Sequence, residues 1–332
     1  MIDPSEMLLS VIMPVYDGEK YLNDAINSIL IQTFTEFEFI IINDGSTDHS
    51  EEIIKSYSDP RIIYIKNEQN KGIVATLNTG LEISKGRYIA RMDADDISLP
   101  NRLKMQLDFM LSHPEYKLCG TNAIAMNEDG RLLHKIRRPI LNEEIKVKHL
   151  FRNSFIHPSV IVDAEVVKTL KYSSNYEHAE DYFLFSQIEM NHRVANLENN
   201  LIYYRIHTEN ITSKRRDEMN KSEMKAINFL LSNLFQEKIS DEVVSLHHTF
   251  LTRNFENIES SRIEAHLLKI KNANKIKHIY HMEFLASELQ NEWFNFLFFA
   301  KKKKALSTYI HSDLFSFRRF NFRHLVKLIS KN

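Results

Sequence analysis

Cysteine occurs once in this chain, at Cys119. That excludes an intramolecular disulfide and any zinc site built on a cysteine cluster, and it fits a reducing compartment. Glycine is absent after Gly130 and proline after Pro158. The second half therefore lacks the punctuation of an all-β module and is expected to be helical. No apolar run approaches the roughly 18 residues of a spanning helix. The start, Met-Ile-Asp-Pro-Ser-Glu, has no basic n-region, so a cytoplasmic protein is expected. The 43 basic and 44 acidic residues nearly cancel, which argues against a dedicated nucleic-acid binder. The balance is uneven along the chain: from Phe294 to Asn332 nine Lys or Arg stand against one acid, Asp313.

What is present begins with alternation. With 332 residues and 43% hydrophobic content, the chain suits a main domain plus an appendage. Apolar strand-like runs at Leu8 to Tyr16, Phe37 to Asn43, Arg61 to Lys66 and Arg87 to Met92 alternate with helical periods at Glu19 to Gln32, Ser46 to Tyr57, Gly72 to Ser84 and Pro100 to Leu111. This pattern predicts a parallel sheet covered by helices. Beyond Lys117 strands at Leu118 to Met126, Leu132 to Ile136 and Val160 to Val162, with a short helix between them, predict a mixed sheet. A helix over Ala179 to Met190 and the apolar Leu201-Ile202-Tyr203-Tyr204 complete a first domain, residues 1–214. Residues 215–332 read as helices, with Met224 to Phe235, Glu242 to Phe255, Ile263 to Ile270 and Ile279 to Phe299 the strongest.

The densest chemistry is Arg91-Met92-Asp93-Ala94-Asp95-Asp96, three carboxylates in four residues after an apolar strand. Alternate side chains on an extended segment point the same way, so Asp93 and Asp95 can converge on one divalent cation. Oxygen ligands favour Mg2+ or Mn2+ over zinc. Read alone, the cluster serves equally as an acidic loop capping the helix near Pro100. Three more polar segments, Pro14 to Asp17, Asp44 to Asp48 and Asn67 to Gly72, also follow predicted strands. In open α/β sheets ligands sit outside those strand ends.

Taken together, Ser10-Val11-Ile12-Met13-Pro14-Val15-Tyr16, Asn43-Asp44-Gly45-Ser46-Thr47-Asp48, Asn70-Lys71-Gly72, Asn78-x-Gly80 and Tyr88 to Asp96 resemble the family 2 glycosyltransferases. His157-Pro158-Ser159, Ala179-Glu180-Asp181-Tyr182 and Tyr204-Arg205-Ile206-His207 extend the likeness to Lys214. The resemblance implies the GT-A fold, a Rossmann-like α/β mixed sheet flanked by helices, here with a C-terminal helical appendage. Within the family the chain looks most like bacterial lipooligosaccharide and capsule enzymes that transfer N-acetylhexosamine or galactose.

The resemblance further implies an inverting transfer from a nucleotide sugar, with UDP-sugar as donor and Mn2+ or Mg2+ as cofactor. Pro14, Tyr16 and Asp44 match positions that hold the base, and Asn70 joins them as a nucleotide contact. Asp95 matches the principal metal ligand and Asp93 a co-ligand or ribose contact, which leaves Asp96 to cap the next helix. Arg205 and His207, with Thr212, Ser213 and Lys214, would reach the diphosphate, His207 also being open to metal ligation. Asp181 matches the catalytic base, Glu180 is its rival by a one-residue shift, and His157 reads as structural or as a direct contact. The acceptor implied is a lipid-linked glycan.

The aromatic and basic residues interleaved over 294–332 fit either peripheral contact with an anionic inner-membrane surface or a helix packed on the protein. Rival readings are a nucleotidyltransferase, whose glycine-rich phosphate loop is missing after the first strand, a transferase using a dTDP- or GDP-sugar, and an inactive nucleotide- or glycan-binding relative.

Overall fold

The computed structural model describes residues 7–207, 215–302, 304–319 and 321–329. Thr212, Ser213 and Lys214 lie outside them. By their contacts the residues form two units, Met1–Asn142 with Phe155–Ser222, and Glu143–Ser154 with Glu223–Asn332.

In the first unit β1 (Leu9–Val15), β2 (Phe37–Asn43), β3 (Ile62–Lys66) and β4 (Tyr88–Arg91) run parallel in the order β3-β2-β1-β4. β1, β2 and β4 are buried along their whole length. This is why they read as unbroken apolar runs instead of alternating ones. The helices α1 (Leu22–Leu30), α2 (Ser50–Lys55) and α3 (Ile73–Ile83) connect them. α3 approaches β1 through Gly80, where an added Cβ would lie 2.6 Å from Ile12 Cγ2. Gly86 allows similar closeness before β4, where a Cβ would fall 2.4 Å from the Ser10 nitrogen.

The sheet then turns mixed. β5 (Ile97–Ser98), α4 (Arg102–Ser112), β6 (Tyr116–Met126), β7 (Leu132–Ile136), α5 (Asn142–His149), β8 (Ile161–Asp163), α6 (Ala164–Leu170), α7 (Glu180–Asn191) and β9 (Arg193–Arg205) follow. β4 pairs antiparallel with β8, and the order continues β8-β6-β9-β5, with β7 on β6. The lone thiol, Cys119, is fully buried in β6. β5 is only two residues long, and it pairs Ile97 with Tyr203 and Ser98 with Ile202. It thereby lays the loop after β4 against the end of β9. β9 also starts well before the Leu201 to Tyr204 segment visible in the sequence. Its first half carries polar residues such as Glu198 and Asn200 that break the apolar run.

The second unit is helical: most of α5 joins α8 (Arg216–Phe235), α9 (Asp241–Thr252), α10 (Ser260–Lys277), α11 (Met282–Phe299), α12 (Ala305–Ile310) and α13 (Phe322–Ile329), α8 beginning within the first unit. Trp293, Phe250, Phe296 and Tyr309 lie fully buried in it. Two buried acids on α11 are matched by arginines. Glu292 pairs with Arg152 and, at 2.5 Å, with Arg253, while Glu288 stands 3.5 Å from Arg152. No described helix is long and apolar enough to cross a membrane.

Candidate active site

Chain order reverses between β1 and β4, both of which lie inside the sheet. Such a switch point opens a crevice at the carboxyl ends of the strands. The loops after β1 and β2 are stitched together there. Asp17, at φ 46°, donates its N–H to Ser46 Oγ at 3.0 Å and accepts the Thr47 N–H at 2.8 Å. Glu19 N–H donates to Asp48 at 2.9 Å. Tyr16 projects beyond β1 with 52% of its surface exposed. Pro14, by contrast, is buried within β1 opposite Ile42. It shapes the strand end and offers no face to a base.

Asp44 is buried at the end of β2, and its carboxylate accepts from Asn67 Nδ2 at 2.7 Å and from the backbone N–H groups of Lys71 and Gly72 at 3.0 Å. Asn70 Oδ1 also accepts from Gly72 N–H. A carboxylate offers about four acceptor sites, so these three donors leave room for one more. The turn depends on Gly45, at φ +71°, where a Cβ would lie 2.6 Å from the Gln69 backbone.

After β4, Asp93, Asp95 and Asp96 each present an oxygen within 4.8 Å of the others. Arg91 forms an ion pair with Asp93 from beneath. Buried Arg102, on α4, donates to the Arg91 carbonyl at 2.7 Å. The sequence predicts Asp96 as a helix cap, and the structure corrects this. Asp96 is 1% exposed, and its Oδ1 accepts the Arg205 N–H at 2.8 Å, while Oδ2 is buried with no hydrogen-bond partner among the described residues. Burial pushes Asp96 well above the ordinary carboxylate range, with repulsion from Asp95 and Asp93 adding to it. Burial raises Asp93 as well, against the pull of Arg91. Three crowded carboxylates, one with an orphaned buried oxygen, form an all-oxygen donor set suited to a hard divalent cation.

The end of β9 closes this loop. His207 Nε2 lies 2.9 Å from Asp95 Oδ2, with its ring 5.4 Å from that of Tyr21. Arg205 is 3% exposed, donates to the carbonyls of Asp95 and Glu128 at 2.7 and 3.0 Å, and stacks over Tyr21 at 4.2 Å. It therefore braces the acidic loop from behind. The expectation that its guanidinium reaches out to a diphosphate is corrected accordingly.

Across Arg91 stands the start of α7. Glu180 is 7% exposed, and burial together with the adjacent Asp181 pushes it up to about 7. Asp181 is half-buried, one residue further into the first turn. Tyr172 is raised chiefly by burial, and the charges of Arg91, Asp181, Glu180 and Asp93 all act on it. His157 Nε2 stands 2.9 Å from the Tyr172 hydroxyl. Burial, with the Arg91 charge added, holds His157 well below its usual range and so neutral. Asn78, on α3, exchanges hydrogen bonds with the Tyr172 backbone at 2.9 and 3.0 Å. Tyr172 carries no sequence signal of its own, since its partner Asn78 lies 94 positions away.

The fold agrees with what comparison with known proteins finds. The family profile described as Glycosyl transferase family 2 matches residues 10–170. An uncharacterized glycosyltransferase of Methanocaldococcus jannaschii is 38% identical over 206 residues, 60% of this chain and 71% of the relative. This chain belongs to glycosyltransferase family 2. A second relative of the glycosyltransferase is the Escherichia coli UDP-Glc:alpha-D-GlcNAc-diphosphoundecaprenol beta-1,3-glucosyltransferase, 30% identical over 219 residues, 65% of this chain and 84% of that one. Among solved structures, Staphylococcus aureus TarS 1-349 in complex with UDP-GlcNAc superposes with a TM-score of 0.59 at 17% identity, over 89% of this chain and 91% of that one. That likeness establishes the GT-A fold, with its mixed sheet and flanking helices.

Proposed function

We propose that this glycosyltransferase moves a sugar, N-acetylhexosamine or galactose, from a UDP-sugar to a hydroxyl of a growing surface glycan, with inversion at the anomeric carbon. The acceptor oxygen bonds to that carbon as the bond to the diphosphate oxygen breaks, and UDP leaves with the bonding pair. The carrying observation is that one buried arginine, Arg91, is the ion-pair partner of Asp93 in the three-carboxylate loop and also acts by its charge on Glu180 at the start of α7. One side suits a diphosphate and its cation, and the other suits a base.

Asp95 and Asp93, with His207 beside Asp95, would hold Mn2+ or Mg2+. Bound there, the ion would supply positive charge to the departing diphosphate. Tyr16 offers its exposed ring to the uracil, and Asp44 its remaining acceptor site to a ring N–H. Asn70 keeps the Gly72 turn in place beside them. Asp181 is the base that takes the acceptor proton, because it is less buried than Glu180 and sits at a helix start. Glu180, pushed up to about 7, is only partly ionised near neutrality beside it.

The name of the Escherichia coli relative specifies a UDP-glucose donor and a diphosphoundecaprenol-linked acceptor. That supports a UDP donor and a lipid-linked acceptor here, met at the cytoplasmic face of a membrane through residues 294–332. Calorimetric titration of UDP with and without Mn2+ tests donor and metal together. Binding that needs Mn2+ and is weakened in Asp95→Asn is expected. Preference for GDP or dTDP would reassign the donor, and no nucleotide binding at all would favour an inactive relative.

A further inference from the structure

The C-terminal region presents two surfaces. α13 buries Leu328 against the rest of its unit, yet leaves Phe322 67% and Val326 50% exposed on another face. Phe322 and Val326 stand four residues apart, hence one above the other on the helix. Packing and exposure thus coexist on one short helix.

A second observation extends the exposed face. Phe317 is 82% and Phe299 49% exposed. Among the described residues they end a chain of rings that runs from Phe317 through Phe315, Tyr309, Phe294 and Phe298 to Phe299, with successive centroids 4.9 to 6.0 Å apart. Tyr309 and Phe294 inside the chain are buried, so the outward phenylalanines rest on a rigid base. Lys327 Nζ lies over the Phe298 ring at 5.8 Å, tying α13 to the same chain.

Charge frames these rings. Arg318, Arg323, Lys327, Lys301 and Lys304 are exposed. Glu283 meets Arg318 only at 3.7 Å, with both side chains mostly in water. Lys271 feels Lys275 and Arg319 as like charges, with Asp313 opposing them, so positive charge extends onto α10. A second copy of the chain would bring two such fields together and be repelled. A nucleic acid has no use for an exposed valine.

We propose that this surface docks on an anionic phospholipid bilayer, with Phe317, Phe322 and Val326 entering the acyl boundary and the basic side chains meeting the headgroup phosphates. The inference rests on the reading of a lipid-linked acceptor and names the residues that meet the membrane. Leu328 holds the helix to the protein while Phe322 and Val326 hold it to lipid.

The test is flotation of the full chain with vesicles of phosphatidylglycerol and phosphatidylethanolamine against vesicles of phosphatidylcholine alone. Binding to the anionic vesicles is expected, weakened by salt, about tenfold weaker in Phe317→Ser with Phe322→Ser, and about tenfold or more weaker in Arg318→Gln with Lys327→Gln. The Phe322→Trp variant should shift its emission to the blue on those vesicles, against a background from one buried tryptophan, Trp293. No flotation, equal flotation on both vesicles, an unshifted emission from the Phe322→Trp variant, or capture by a single-stranded oligonucleotide in place of lipid would overturn the proposal. UDP titration of the same samples separates the two readings. Flotation without UDP binding rejects the donor and keeps the docking surface, and UDP binding without flotation does the reverse.

Discussion

A single carboxylate carries the sharpest prediction. Asp181→Asn removes the proposed base while keeping size and the start of α7, so the protein should fold and bind UDP while transfer falls by at least roughly a hundredfold. Initial rates of sugar transfer beside a UDP titration check it, and near-normal transfer would reject the assignment. The sequence placed Tyr16, Asp44, Asp93 and Asp95 just beyond strands and Asp181 at the start of a helix, and the elements stand there. It misled where a side chain folds back into the protein. Arg205 is spent on the Asp95 and Glu128 carbonyls, and Asp96 on the Arg205 N–H. Both contacts depend on a two-residue strand, β5, that no periodicity can announce.

Among the elements, α3 packs closely on β1, and Gly80 is the reason. In Gly80→Ala the helix gains about 1 kcal/mol of propensity, but the new methyl meets Ile12 Cγ2 at 2.6 Å. Ile12 is β-branched and stiff, so the clash of about 1–3 kcal/mol outweighs the gain. A lower thermal midpoint is expected, with weaker UDP binding because Gly72 and Asn78 lie at and within α3. An unchanged midpoint would mean the sheet yields freely. β1, β2 and β4 were readable because they are buried along their whole length, and α7 because its apolar residues are dense. The helix α6 was not, since its start depends on Asp163 accepting from Glu165 and Val166 and not on a long apolar stripe.

For the molecule as a whole, the helical character of the last third was legible in its missing glycine and proline. The membership of 143–154 in that unit was not, because it rests on contacts such as Arg152 with Glu292, 140 positions apart. The same cluster sets a pH dependence. Burial and the neighbouring Glu292 push Glu288 from 4.5 up to about 7. Burial would raise Glu292 too, but Arg152 and Arg253 overcome that and hold it low. Because folding raises the Glu288 value, the stability it contributes is full below the unfolded value and is lost as pH rises through about 7. Glu288→Gln should flatten that part of the decline, gaining about 1–3 kcal/mol at pH of roughly 8 relative to roughly 5. Thermal melts across that range measure it, and parallel curves for the two proteins would refute it.

Cys119 has a practical corollary. Burial pushes its thiol up to about 12, out of reach of maleimides that attack thiolates at neutral pH. A cysteine introduced at any exposed position is then the one site that takes a label, and a fluorophore or spin probe reports from that place alone without removal of the native thiol.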